Sequence, residues 1–86
     1  MDIAATMVEL LRQRAPGASI CPSDVARALA TNEAAWRALM PSIRSTAAAL
    51  ARSQCIVMTQ GTHRVDPADV DHGPIRLRRG PMFPPE

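Results

Sequence analysis

The sequence predicts a mainly helical α+β domain, in which three to four helices are joined to a small antiparallel β-hairpin. Three observations predict it. Apolar residues recur at helical spacing between residues 3 and 50, a segment rich in β-branched residues covers 55–60, and apolar and basic residues alternate over 74–78. The 86 residues suffice for one domain with a small core, so we expect no large active-site cavity.

The first two helices have recognisable start and stop signals. Asp2 can cap a helix that runs to about Arg14, where an Ala-Pro-Gly sequence stops it. Residues 18–20 allow only a short extended step, which could pair with the later hairpin as a third, minimal strand. Pro22 suits the first position of a second helix, which ends at Thr31-Asn32.

Pro41 divides the next amphipathic stretch. Proline lacks the amide donor and clashes with the carbonyl four residues earlier, at a cost of about 3 kcal/mol inside a helix. We therefore predict a short helix over 33–39, a break or kink at Met40, and a new helix from Pro41 to about Ser53. The residues predicted to line the buried side are Trp36, Leu39, Met40, Ile43, Ala47 and Leu50.

Two strands are expected after the helices, at 55–60 and 74–78. They should pair as an antiparallel hairpin, because the second strand alternates between an apolar and a basic face. The polar stretch 62–73 between them has no periodicity and is predicted to be a loop.

The C-terminal residues 81–86 are rich in proline and have no core pattern. We assign the folded domain to residues 1–80 and predict disorder for the tail. Docking of Phe83 against the domain is the alternative.

The predicted order of elements is helix, short strand, helix, helix, strand, loop, strand. It is the order of a winged helix-turn-helix domain, in which the hairpin is the wing. Three stretches add a family resemblance: residues 20–29 (ICPSDVARAL), residues 36–41 (WRALMP), and Val65-Asp66-Pro67 followed by residues 73–77 (GPIRL). In these stretches the chain resembles a family of short bacterial proteins, the domain of unknown function 3253. The resemblance covers nearly the whole chain before the tail and implies a winged helix-like fold, but it implies no activity.

Arginine supplies all the positive charge. The formal net charge is only +2, but all 10 basic residues are arginine. Between residues 34 and 65 there is no Asp or Glu, whereas four arginines fall in that interval, so a local positive field is implied. Arginine makes planar, two-pronged bonds to phosphate that lysine cannot make, and a GC-rich genome is the other explanation for this composition.

Duplex DNA is the partner that this pattern favours. In winged helix domains the last helix enters the major groove, and residues near its N-terminus contact base edges. Of the outward residues expected here, only Arg44 has the reach and the donors for two-pronged recognition of guanine, with Ser42 and Ser45 as shorter partners. The full outward set is Ser42, Arg44, Ser45, Ala48, Ala49 and Arg52.

Three further arginines are predicted to contact the sugar-phosphate backbone. Arg76 and Arg78 share one face of the last strand, and Arg64 lies before it. The alternative is that this is simply the solvated face of a hairpin, and three aspartates between 66 and 71 would repel DNA. The predicted nucleic-acid-binding residues are Ser42, Arg44, Ser45, Arg52, Arg64, Arg76 and Arg78.

A protein-interaction or dimerisation module without nucleic-acid binding is the second hypothesis. The small outward residues Ser45, Ala48 and Ala49 would allow a second helix to approach closely. An enzyme is not expected, because no serine has a histidine near it in sequence and no glycine-rich phosphate loop occurs. No cofactor or small-molecule substrate is inferred.

Neither a metal site nor a membrane segment is expected. The possible ligands Cys21, Cys55, His63 and His72 lack the close paired spacing of a zinc site. The cysteines could approach each other if the short strand joined the hairpin, but inert thiols are favoured. We expect no signal peptide, because the first residues lack a basic region, and no apolar run reaches about 18 residues, so a cytoplasmic protein is predicted.

Overall fold

The computed structural model describes residues 2–85, which form three α-helices and a four-stranded antiparallel sheet. The α+β class is therefore confirmed. In chain order the elements are α1 (Ile3–Arg12), β1 (Ser19–Ile20), α2 (Pro22–Leu29), α3 (Glu33–Arg52), β2 (Ile56–Gln60), β3 (His63–Val65), a 3₁₀ helix (Pro67–Asp69) and β4 (Arg76–Arg79). The strand order in the sheet is β1-β4-β2-β3.

Short polar side chains begin the helices. The Asp2 carboxylate accepts a hydrogen bond from the Ala5 amide at 2.9 Å, and the Asn32 side chain accepts one from the Ala35 amide at 2.8 Å. At α2 the Asp24 carboxylate accepts from the Cys21 amide at 2.9 Å. Each bond satisfies an amide that has no partner within its helix.

The predicted division into two helices at Met40 is wrong, because α3 is one helix of 20 residues with Pro41 inside it. Proline leaves the carbonyl of Arg37 without its amide donor. Arg37 and Pro41 are both exposed, so water can satisfy that carbonyl. Meanwhile Ile43 and Ala47 are fully buried, and Trp36 packs against the same core, so residues on both sides of Pro41 gain from staying helical.

The sheet confirms the antiparallel pairing of the two predicted strands and the third, minimal strand. Leu77 on β4 lies opposite Met58 on β2 and opposite Ile20 on β1. The inner faces of these strands pack against the helices around one core. Its largest fully buried side chains are Met7, Leu11, Ile20, Val25, Ile43, Ile56, Met58 and Leu77.

The predicted loop over 62–73 is only partly a loop. Its first residues form β3, which pairs with β2 after a turn at Gly61, and the 3₁₀ helix follows. Gly61 has φ +59°, a conformation that glycine adopts at little cost. A strand of three residues is too short to show periodicity, which is why the sequence pattern does not reveal it.

Residues 80–83 dock against the domain. The Gly80 amide donates to the Cys55 carbonyl and the Met82 amide to the Gln54 carbonyl, both at 2.9 Å. Phe83 is half-buried, and the Arg79 guanidinium lies 4.8 Å from its ring centroid. This arrangement corresponds to the alternative in which Phe83 docks against the domain. Glu86, the last residue of the predicted tail, lies outside the described residues.

Candidate nucleic-acid interface

The sheet presents one face to the core and one to solvent. Successive residues of a strand alternate between faces, so the buried Ile20, Met58 and Leu77 place their neighbours on the opposite side. We call this side the outer sheet face. Its residues are Ser19, Val57, Thr59, Arg64, Arg76 and Arg78.

The three arginines of the outer sheet face belong to two adjacent rows of cross-strand partners. Arg78 lies opposite Val57 on one side and Ser19 on the other. Thr59 lies between Arg76 and Arg64, which are its partners on β4 and β3. None of the six residues of the face is acidic, so their charges add to a local positive potential.

Two of these arginines are held in place by neutral acceptors. Arg76 donates from Nε to Ser19 Oγ at 3.0 Å and from Nη2 to the Ser19 carbonyl at 3.1 Å. Arg78 donates from Nη1 to the Gly17 carbonyl at 2.8 Å. A carbonyl or hydroxyl does not cancel the charge, and a guanidinium has five N–H groups, so several donors stay available on each residue. An arginine held in this way loses less conformational entropy when it binds an anion.

Arg64 has a mixed environment. It is exposed and forms no ion pair with any residue between 2 and 85. A cleft of about 310 Å³ beside it is also lined by Asp66, Asp69, His63 and His72. The two carboxylates lower the positive potential on that side, so Arg64 should attract anions less strongly than Arg76 and Arg78.

A concavity of about 470 Å³ adjoins the outer sheet face. Residues 59–61 and 72–76 line it, so Thr59 and Arg76 belong to both surfaces. The Thr59 hydroxyl oxygen is shielded from solvent and has no hydrogen-bond partner among the described residues. Buried polar groups usually have a partner, so this hydroxyl is an exception.

The structure places the predicted α3 residues in different environments. Ser42, Ser45 and Arg52 are exposed. Arg44 is half-buried, and its Nη1 donates to the Val70 carbonyl and, at 3.2 Å, to the Gly73 carbonyl. Ala48, which was expected to face outward, is only 4% exposed.

The segment that follows β3 accounts for this result. Its 3₁₀ helix packs on α3, and a cleft of about 280 Å³ between them is lined by Ser45, Ala48, Arg52 and Asp71. The helix flank expected to contact DNA is therefore partly occupied by the chain itself. The structure brings together Arg64, Arg76 and Arg78, and it gives Arg44 two partners within the protein.

Most other arginines interact within the domain. Arg37 pairs with Glu33 at 2.7 Å, and Arg12 pairs with Glu9 at 3.4 Å. Arg79 donates to three carbonyls at the end of α1, where a positive charge complements the helix dipole. The guanidinium of Arg27 lies 4.8 Å from the ring centroid of Trp36.

The cysteines lie apart. By the strand register, Cys21 continues β1 to the level of Arg76, whereas the Cys55 carbonyl accepts from the Gly80 amide. Four residues along a strand separate these levels by about 13 Å. Burial raises the pKa of the Cys55 thiol, which keeps it protonated and poorly nucleophilic. Within residues 2–85, no three His, Cys, Asp or Glu side chains are grouped closely enough to hold a metal ion.

Sequence reasoning missed Thr59, Ser19 and Gly17. Thr59 stands in a β-branched run that indicates only a strand, and the acceptors in Ser19 and Gly17 lie about 60 residues from the arginines that they hold.

No helix in the described part of the chain combines the length and apolar character needed to cross a bilayer.

Comparison with known proteins identifies a family for this chain. No curated protein matches the chain. The family model described as "Protein of unknown function (DUF3253)" matches residues 1–80, which include α1, α2, α3 and all four strands. The chain therefore belongs to this family of unknown function.

Proposed function

We propose that the protein binds duplex nucleic acid, most directly duplex DNA, through its phosphate backbone, with the outer sheet face as the contact surface. One observation carries the proposal: Arg64, Arg76 and Arg78 share a face that has no carboxylate. Arginines in such a patch neutralise phosphates and release the counterions condensed on them, which is the main source of non-specific affinity.

The chemistry of the face favours a duplex over a single strand. Proteins that hold single strands combine positive charge with aromatic side chains on which bases stack. The two aromatic residues of the chain, Trp36 and Phe83, lie on α3 and in the tail, away from the outer sheet face. A face with arginines and no ring is suited to phosphates, which a duplex presents while its bases remain stacked.

The order of the elements supports the same proposal. In chain order a helix, a short strand and two helices precede a pair of strands, and β4 lies between β1 and β2 in the sheet. This order resembles that of a winged helix domain, with β3 and the 3₁₀ helix inserted between the strands that would form the wing. This support is fold-level analogy. Because Arg44 bonds to the Val70 and Gly73 carbonyls, we propose contact with the backbone and not base reading by α3.

Replacing Arg76 and Arg78 together with glutamine should weaken duplex binding and reduce its salt dependence. Each phosphate contact contributes about −0.9 to the slope of log K against log salt, so the double variant should lose roughly 2 units of slope. Fluorescence anisotropy with a random-sequence duplex at several salt concentrations measures this.

The matched control for this experiment is Arg14→Gln/Arg27→Gln, which removes the same charge from two exposed positions outside the face. It should retain most of the salt slope. Equal losses of duplex affinity and salt slope in the two double variants would mean that binding depends on the net charge alone and not on the outer sheet face. Wild-type binding that is independent of salt, or no binding at low salt, would contradict the proposed function.

Self-association is the second candidate function, because α3 has an exposed flank of small residues. Ser42, Ser45 and Ala49 are exposed and small enough to allow a second helix to pack closely. If this flank forms a dimer, light scattering should give twice the monomer mass, and Ala49→Glu should restore the monomer.

The control for that measurement is Ala34→Glu, an exposed position at the other end of α3. Ala48→Glu is unsuitable, because Ala48 is buried and a charge there would unfold the domain. A monomeric mass at all accessible concentrations would exclude dimerisation.

A further inference from the structure

We propose that the row formed by Arg76, Thr59 and Arg64 is a binding site for a single phosphate group. We call this row the phosphate seat. The inference deepens the proposed function and rests on it in one respect, since a backbone phosphate of nucleic acid is one source of the ligand. Free phosphate or a phosphate monoester is the other source.

The register of the sheet brings the three residues into line. Thr59 on the central strand β2 is the direct partner of both Arg76 on β4 and Arg64 on β3. Neighbouring strands lie about 4.8 Å apart, so the two arginine backbones are separated by about 10 Å with the threonine between them. An anion above the threonine lies within reach of the Arg64 side chain, and within reach of Arg76 once its guanidinium turns away from Ser19 on β1, the strand on the other side of β4.

The Thr59 hydroxyl gives the row a donor without a partner. Its oxygen is shielded from solvent and makes no hydrogen bond within residues 2–85. A phosphate oxygen would supply the missing acceptor once the side chains over the hydroxyl shift. Arg64 is free to turn toward the phosphate, because it is exposed and forms no ion pair within residues 2–85. Arg76 would exchange its two hydrogen bonds to Ser19 for bonds to the phosphate.

The surroundings limit the seat to one phosphate. On one side the concavity of about 470 Å³ is lined by Gly61, Gly73 and Pro74, and it offers space for the group attached to the phosphate. On the other side Asp66 and Asp69 line the cleft beside Arg64, with His63 and His72, and these carboxylates disfavour a second anion. The site therefore fits a phosphate that carries a nucleoside-sized substituent toward the glycines.

The test compares the wild-type protein with Thr59→Val, which removes only the hydroxyl and keeps a β-branched residue in the strand. Inorganic phosphate is titrated into the ¹⁵N-labelled protein, and the amide shifts of residues 59, 64 and 76 are followed, with chloride of equal ionic strength as the reference. We expect saturable shifts at these amides, and an affinity roughly tenfold lower in Thr59→Val, because a hydrogen bond to a charged group is lost.

Two controls keep the result interpretable. Thr62→Val makes the same chemical change at an exposed turn residue and should bind phosphate like the wild type. Thermal unfolding of Thr59→Val shows whether the strand is intact, and Arg76→Gln provides a second variant of the seat. If phosphate moves none of the three amides, or if both Thr59→Val and Arg76→Gln bind phosphate as the wild type does, the phosphate seat is wrong.

The duplex is the second arm of the experiment and separates the two proposals. If Thr59→Val weakens the binding of both phosphate and duplex, the seat holds a backbone phosphate. If phosphate saturates the seat but the duplex does not bind at low salt, the result supports a phosphate seat that binds free phosphate or a monoester. The same result contradicts the proposed function. If the duplex binds wild type and Thr59→Val equally and phosphate does not bind, the seat fails and the proposed function stands.

Discussion

Gly80→Ala is expected to destabilise the protein by about 1–3 kcal/mol, the typical cost of forcing an extra atom into a well-packed site. A Cβ atom at position 80 would overlap the Gln54 carbonyl oxygen and lie 3.0 Å from the carbonyl carbon atoms of Gln54 and Cys55. The backbone has little freedom to move away, because the Gly80 amide donates to Cys55 and the Met82 amide donates to Gln54. Urea unfolding followed by circular dichroism measures the change in the free energy of unfolding.

Gly17→Ala is the matched control for this variant. A Cβ atom at position 17 would meet nothing within 4 Å, and the residue does not have a positive φ. The substitution should be neutral, or stabilising by about 0.4–1 kcal/mol through the unfolded chain. Similar urea midpoints for the two variants would show that the close approach of Gly80 to Gln54 does not contribute to the stability of the native state.

The Gly80 experiment also tests how the tail is held. Phe83 packs beside Arg79, and Arg79 in turn donates to the carbonyls at the end of α1. The tail is thus connected to the first helix through one arginine. If Gly80→Ala releases the tail, the chemical shifts of Phe83 should move to random-coil values under conditions in which the core is still folded.

Local chemistry explains why the helices could be predicted. Asp2 and Asn32 cap helices because a short side chain can reach an amide three residues later, and Pro22 begins one because its φ is already helical. Pro41 obeys the same local rule and yet lies inside α3, since core packing on both sides of it offsets the lost hydrogen bond. The sequence around Pro41 does not contain that long-range contribution.

In the candidate site, too, local sequence predicts some features, whereas contacts between distant residues determine the others. Alternation along β4 places Arg76 and Arg78 on one face, and this was predictable from residues 74–78 alone. The environment of Arg44 was not, because its acceptors lie 26 and 29 residues further along the chain. A helix periodicity identifies the exposed side of an isolated helix, whereas here a later segment covers part of that side.

Arg44→Ala distinguishes a structural arginine from a base-reading one. Arg44 Nη1 donates to the Val70 and Gly73 carbonyls, and Val70 itself is only 9% exposed. Losing a charged donor to the partly buried Val70 carbonyl should cost about 1.5–3 kcal/mol of stability. Urea unfolding measures this loss, and anisotropy under conditions where the variant is folded should show duplex affinity within about twofold of the wild type, as expected for one distant charge at moderate salt.

Arg52→Ala is the control, because it removes the same charge from the same helix at an exposed position without an ion pair among the described residues. Its stability should change by less than about 0.5 kcal/mol. The opposite pattern, in which Arg44→Ala keeps wild-type stability but loses duplex affinity, would mean that the arginine leaves Val70 and Gly73 to contact DNA. In that case α3 would be a reading helix after all, and the segment after β3 would have to move away from it on binding.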